Sequence, residues 1–331
     1  MKNQDADRLY SILIFHYQRK PPAVSVVPKS FSYARKKIAL VEMAHQNNKI
    51  FAIGADTTKS MGFAPMLKEF PDRVINIGIA EQNMALTAVG AAACGAKAII
   101  ATYAPFASMR ICEQIRTFMC YPGLDVKIIS GLSGLSGNIE GVTHQGLEDI
   151  GVLRSIANLM IVVPADATST IAAAKAIIAY QGPVYFRIGR GPVEKVFDDS
   201  YQFTIGKANL IRDEGQDVAI ICNGAAVARV LHANDLLRAK GIRAKILEMP
   251  CVKPIDQGAI QRVAQECGYI VTAEEHNIIG GLGSAVCEVV TQSEPVKTSI
   301  IYLPSISPKL SRIIFPNTMQ SAFVVSRTCF Y

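Results

Sequence analysis

The stretch Val74-Ile75-Asn76-Ile77-Gly78-Ile79-Ala80-Glu81-Gln82-Asn83-Met84 passes from a β-branched run through a glycine into a segment that opens on a glutamate. It reads as a strand, a turn and the first turn of a helix. A carboxylate in that first turn is favoured by the helix dipole, and the carboxyl end of a parallel strand is where α/β proteins place ligands. From these residues alone Glu81 is either an ordinary N-terminal helix charge or a functional carboxylate, and both readings stay open.

Outward from this unit the same alternation recurs. Short apolar runs at Ile50 to Ile53, Ala98 to Ala101, Val126 to Ile129, Met160 to Val163 and Val184 to Ile188 are separated by Ala-rich segments. The segments predict helices over 35–47, 81–93, 107–120, 145–157 and 167–180. Such alternation means βα units and a mostly parallel sheet. After Gly189-Arg190-Gly191-Pro192 the pattern lapses, and it restarts with strands at Val218 to Cys222, Ala244 to Leu247, Tyr269 to Ala273 and Ile300 to Leu303. Helices are expected near 225–240, 256–267 and 281–292. The predicted fold class is α/β: a doubly wound, mostly parallel domain over 32–192, a linker over 193–213 and a smaller α/β domain over 214–304. Residues 1–31 form an extension without assigned structure, and 305–331 a basic, irregular tail.

Composition narrows the function classes. Of the 331 residues 50% are hydrophobic and 18% charged, as in a globular protein with buried cores. The net charge of +7 is scattered along the chain, which favours anionic small molecules over nucleic acid. The eight cysteines form no CxxC pair and read as reduced core thiols of a cytoplasmic protein. The apolar run Leu9 to Tyr17 is too short to span a bilayer and follows an acidic start, so neither a signal peptide nor a membrane anchor is expected.

The string around Glu81 resembles the glutamate motif of the transketolase pyrimidine-binding domain, and the similarity continues from about Arg35 to Pro192. The resemblance implies a thiamine diphosphate enzyme in which Glu81 bonds the N1′ atom of the cofactor's aminopyrimidine and promotes its imino form, with the cofactor carrying the carbon chemistry. Thr102-Tyr103-Ala104-Pro105-Phe106-Ala107-Ser108-Met109-Arg110 resembles the family segment whose side chains line the pyrimidine. Tyr103 and Phe106 keep aromatic rings there, and Met109 stands where many relatives place a third. Without a ligand in view, an aromatic pair at this spacing also reads as plain core.

Four more positions match residues that hold the sugar phosphate in transketolases. They are Arg35 at the start of the first helix, Ser60 in Gly54-Ala55-Asp56-Thr57-Thr58-Lys59-Ser60, His144 in Gly141-Val142-Thr143-His144-Gln145, and Arg190 after Ile188-Gly189. Converging two guanidiniums, a hydroxyl and an imidazole is what an anionic phosphate requires. By the same resemblance His144 joins Glu81 as a catalytic candidate. Asp56 matches a family aspartate near the cofactor; its alternative is a turn-forming Asp bonding its own backbone.

Glu248-Met249-Pro250, Lys253-Pro254-Ile255-Asp256, Glu274-Glu275-His276 and Gly280-Gly281-Leu282-Gly283 resemble the C-terminal domain shared by transketolases, deoxyxylulose-phosphate synthases and 2-oxoacid dehydrogenase β subunits. The glycines alone are weak evidence for a phosphate loop. After about Ser299 the resemblance fades. The Gly-Asp-Gly motif that holds the cofactor's diphosphate through Mg²⁺ occurs nowhere in the chain. The resemblance therefore implies the C-terminal subunit of a split transketolase. An N-terminal subunit would bring the diphosphate and metal site, the pair would self-associate to a heterotetramer, and the substrates would be sugar phosphates of the pentose phosphate type. Three alternatives remain: a deoxyxylulose-phosphate synthase-like subunit, a 2-oxoacid dehydrogenase β-like subunit, and a non-catalytic paralogue serving as an interaction subunit.

Overall fold

The structure is a computed structural model that describes residues 30–31, 40–303 and 328–329. The chain divides into two compact units that meet in sequence at Ile205 and Gly206.

In the first unit six strands run parallel in the order Met160–Val162, Val184–Arg187, Val126–Gly131, Lys97–Tyr103, Ile50–Gly54 and Val74–Asn76. The central ones are buried on both faces, hence their largely apolar sequences, with Lys127 and Arg187 as buried charges among them. Helix Glu81–Ala93 buries Met84, Ala85, Ala88 and Ala92, an apolar stripe at helical spacing. Helix Ala167–Ala179 begins at Asp166, whose carboxylate accepts from Ser169 N at 2.8 Å while its own N–H donates to Ser169 Oγ at 2.9 Å. That reciprocal pair satisfies amides which the helix start would otherwise leave without partners.

Because all six strands are parallel, their carboxyl ends share one edge. The turn with Asp56 and Ser60, the turn before Glu81, the segment from Phe106 to Arg110, the loop with His144 and the strand exit at Arg190 all leave from it. The fold thus gathers residues far apart in sequence, as open α/β sheets do at their ligand-binding edge.

In the second unit the strands Ala244–Glu248, Val218–Cys222, Tyr269–Ala273 and Lys297–Ile301 are parallel, with one antiparallel strand at each side. One of these, Asn209–Asp213, lies inside the interval read as linker, where its mixed sequence of Asn, Leu, Ile, Arg and Asp hides it. The other, Thr328–Cys329, pairs with Thr298 and Ser299. Helix Gln257–Cys267 starts on an Asp256 cap to Ala259 N at 3.1 Å and ends on Gly268, whose φ of 66° suits a residue without a β-carbon.

Two more expectations shift. The helix predicted over 107–120 is two π-helical segments, Phe106–Arg110 and Gln114–Cys120, and the helix over 145–157 shrinks to Asp149–Arg154. The glycine string also resolves: Glu274 is buried and its two oxygens accept from Leu282 N and Gly283 N, each at 2.8 Å. A β-carbon on Gly281 would come within 2.5 Å of that carboxylate. The chain's own carboxylate therefore fills the helix N-terminus that an anion could otherwise take. Among the described residues no helix is long and apolar enough to cross a membrane.

Candidate functional site

Glu81 owes its position to a short strand that stops abruptly. After Asn76 the chain turns at Gly78, with φ of 77°, and enters the helix at Glu81 itself. Asn76 fixes this corner. Its Oδ1 accepts from Gly78 N at 3.2 Å and from Asp56 N at 2.9 Å, joining the Glu81 turn to the Asp56–Ser60 turn. Glu81 is buried, and its Oε1 accepts from Arg110 Nη1 at 2.7 Å. A buried carboxylate is tolerated there because the helix start and a guanidinium both compensate its charge.

Tyr103 is the last residue of strand Lys97–Tyr103, and its hydroxyl donates to Ser60 Oγ at 2.9 Å. Phe106 opens the following π-helical segment. Ring centroids stand 5.6 Å apart for Tyr103 and Phe106, 5.5 Å for Tyr103 and His144, and 5.1 Å for Phe106 and His144. These spacings are those of favourable aromatic pairs, so Ser60, Tyr103, Phe106 and His144 form one cluster. Met109 is 56% exposed, and the group lying on the Phe106 ring is Arg110, its guanidinium carbon 3.7 Å from the centroid.

The His144 loop is held from beneath. Gly146 comes so close to Ala104 that a β-carbon on it would sit 2.4 Å from the Ala104 side chain. Its carbonyl accepts from Gly134 N at 2.8 Å and from Arg187 Nη2 at 2.9 Å. Arg187 is itself buried and paired with Asp149, Nε to Oδ2 at 2.7 Å and Nη2 to Oδ1 at 3.1 Å. Tyr185 completes the network by donating to Asp149 Oδ2 at 2.7 Å, with Ser130 Oγ also 2.7 Å from its hydroxyl. Burial, followed by the Asp149 charge, pushes the Tyr185 phenol well above its ordinary range. Thr143 Oγ1 lies 2.9 Å from His144 Nδ1.

Arg190 forms an ion pair with Glu140 in this loop. Burial raises the Glu140 carboxyl, but the hydrogen bond from Arg190 and the charges of Arg190 and His144 outweigh it and hold the group below the usual carboxylate range. Its Oε2 is buried, and among the described residues none donates a hydrogen bond to it. Asp56 is exposed and sits at φ of 57°, a conformation that Asp accepts in turns. Arg35 lies outside the described residues.

The structure thus joins Ser60, Tyr103, Phe106 and His144 directly, with Glu81 reached through Arg110 and Phe106. Arg190 meets the cluster through Glu140, and Asp56 through Asn76. Sequence reading passed over Arg110, Asn76, Glu140 and the Arg187–Asp149 pair. The cluster suits the pyrimidine half of the implied cofactor: a buried acid, a flat cation bonded to it that lies on the Phe106 ring, and the Tyr103 ring next to that one. The donors of a metal site are another matter. Among the described residues no group of three or more His, Cys, Asp or Glu is placed to hold an ion.

Comparison with known proteins follows the two units. Residues 35–195 match the family described as transketolase, pyrimidine binding domain, and residues 206–318 match transketolase, C-terminal domain. The chain is 37% identical to the 6-deoxy-6-sulfo-D-fructose transketolase subunit of Clostridium sp. (strain MSTE9), covering 78% of this chain and 80% of that one. It is 38% identical to one of the subunits of apulose-4-phosphate transketolase from Phocaeicola vulgatus, over 80% of this chain and 85% of the other. A solved structure described as "Split gene transketolase, inactive beta4 tetramer" superposes with a TM-score of 0.78 at 37% identity, covering 88% of this chain and 95% of that one.

Proposed function

The chain belongs to the transketolase family, and on that premise we propose that it is the pyrimidine-binding subunit of a thiamine-diphosphate-dependent transketolase that moves a two-carbon ketol unit between sugar phosphates in the cytoplasm. The observation that carries this reading is Glu81, buried at a helix start and linked through Arg110 to the Phe106 ring, which clusters with Tyr103 and His144. Thiamine diphosphate, when bound, supplies the nucleophilic carbon at which carbon–carbon bonds are broken and remade.

The chain's own residues have simpler tasks. Glu81 would hold a proton at the N1′ atom of the aminopyrimidine, with Tyr103 and Phe106 packed on the ring and Asp56 and Met109 at its margin. His144 would move a proton at a substrate oxygen. Ser60, Arg190 and Arg35 would hold the hydroxyls and phosphate. Sugar hydroxyls are also the kind of donor that Glu140 Oε2 lacks among the described residues. A multiply charged diphosphate calls for Mg²⁺ with oxygen ligands, and this reading assigns those ligands to an N-terminal subunit. Two such pairs closed by a two-fold axis give the heterotetramer. The curated relatives named as subunits support a partner, as does the description of the solved relative as an inactive β4 tetramer.

The experiment is reconstitution. Alone, the chain is expected to bind thiamine diphosphate weakly and to transfer no ketol unit; mixed with a chain bearing the Gly-Asp-Gly motif, it should bind the cofactor tightly and transfer the unit. Titration calorimetry with Mg²⁺ on the isolated chain and on the mixture reads the binding, and a coupled ketose assay reads the transfer. Tight metal-dependent binding and turnover by the isolated chain would refute the partner requirement. A second reading, a deoxyxylulose-phosphate synthase-like subunit, draws on 36% identity to that synthase from Thermomicrobium roseum, of which the chain spans 40%. Decarboxylation of pyruvate by the reconstituted pair would favour it.

Arg190 provides a separate check on the substrate. Its replacement by Ala is expected to weaken phosphorylated sugars by roughly 1.5–3 kcal/mol, the worth of a charge-assisted hydrogen bond, and to leave unphosphorylated ketoses unaffected. Equal losses for both kinds of sugar would exclude the phosphate role.

A further inference from the structure

Arg110 makes, within the chain, both contacts that the proposed function gives to the aminopyrimidine. Its guanidinium carbon lies 3.7 Å from the centroid of the Phe106 ring, and its Nη1 donates to Glu81 Oε1 at 2.7 Å. A guanidinium is flat, stacks on aromatic faces and carries several N–H donors in its plane. In those respects it resembles a flat heteroaromatic ring presenting an N–H to a carboxylate.

The local backbone explains how it gets there. Phe106 and Arg110 open and close one π-helical segment, and the Arg110 carbonyl accepts from Gln82 Nε2 at 3.2 Å. The main chain is thereby tied to the helix that carries Glu81. The side chain is 48% exposed, and the hydrogen bond to Glu81 and the stacking on Phe106 both lie at its tip. A side chain so held can swing into solvent without disturbing the fold beneath it.

We propose that Arg110 is a built-in placeholder for the pyrimidine: it covers the Phe106 face and occupies Glu81 in the chain by itself, and an entering pyrimidine displaces it. This rests on the reading that places the pyrimidine on Phe106. The two contacts are each modest, a half-exposed cation–π contact and an ion pair with one exposed member, so their removal should raise affinity by roughly five- to tenfold.

The test uses the full-length chain and thiamine, which carries the pyrimidine without the diphosphate and so needs no metal. Binding is followed by ligand-observed NMR for the unaltered chain, for Arg110→Gln and for Arg110→Lys, each also combined with Glu81→Ala. Circular dichroism confirms that every variant is folded. The expected result is tighter binding by Arg110→Gln, an intermediate value for Arg110→Lys, which keeps the charge and loses the flat stack, and weaker binding wherever Glu81 is removed. Binding that depends on Glu81 yet is equal or weaker in Arg110→Gln overturns the placeholder and leaves the pyrimidine site standing. Binding indifferent to Glu81 in every background overturns the pyrimidine site itself. Absence of binding by both the unaltered chain and Arg110→Gln overturns the placeholder, because uncovering the ring should have exposed a site.

Discussion

Replacing Glu81 by Gln is expected to lower ketol transfer by the reconstituted enzyme roughly 10²–10⁴-fold, the usual contribution of a positioned acid or base. In barrier terms that is about 3–5 kcal/mol. The amide keeps the size of the side chain and still accepts from Arg110, so the helix start and the aromatic cluster should survive. What disappears is the ability to hold and release a proton at the ring nitrogen. The comparison is of kcat at saturating cofactor, with the melting curve of the variant beside that of the parent. Near-normal turnover by a well-folded Glu81→Gln protein would remove the assignment of this residue.

For stability, the largest effect should come from Asp149→Ala. This carboxylate is buried and takes hydrogen bonds from Arg187 and Tyr185, so its loss removes the counter-charge of a buried guanidinium and an acceptor of a buried phenol. Breaking a buried pair from one side typically costs about 3–5 kcal/mol. The damage should reach the site as well, since Arg187 also supports the Gly146 carbonyl in the His144 loop. Chemical denaturation should show a lower midpoint for Asp149→Ala and a smaller shift for the double replacement of Asp149 by Leu with Arg187 by Met, which removes both charges. A single variant as stable as the parent would mean that water reaches Arg187.

Much of the architecture could be read from the chain because parallel strands are buried on both faces. Val126 to Ile129 and Val218 to Cys222 are short, β-branched and bounded, and each is a central strand. Helix Glu81–Ala93 was legible for the complementary reason: Gly78 before it and the Ala-rich stripe within it mark its start and its face. The segment 107–120 was not, because a π-helical turn only closes its hydrogen bonds one residue further along than an α-helical one, and no residue type announces the widening. Asn209–Asp213 was missed because an edge strand need not be uniformly apolar.

Within the site, the readable residues were those in contiguous strings, such as Glu81 and His144. Arg110 belongs to the quoted string around Phe106, four positions after that ring, but its importance lies in a contact with a helix that starts 29 residues earlier. A charge embedded in an apolar run was the available sign for Arg187, since Val184-Tyr185-Phe186-Arg187-Ile188 leaves it nowhere to go except onto a buried partner. Glu140 offered no comparable sign. Its role depends on how the loop folds back to Arg190.

Glu274 bears on how domains of this kind are told apart. Gly280-Gly281-Leu282-Gly283 has the composition of a loop that cups an oxyanion, yet the two N–H groups it presents are already taken by a side chain that follows strand Tyr269–Ala273. Gly281 lacks a β-carbon because that carboxylate occupies its place, and Gly283 because Ile300 and Thr272 do. The informative unit is therefore discontinuous, a glycine turn together with the residue just past the preceding strand. A chain with the same glycines and a neutral small residue in place of Glu274 would present a vacant notch lined by amides, and two sequences alike in their motif would then differ in whether they retain an anion at all.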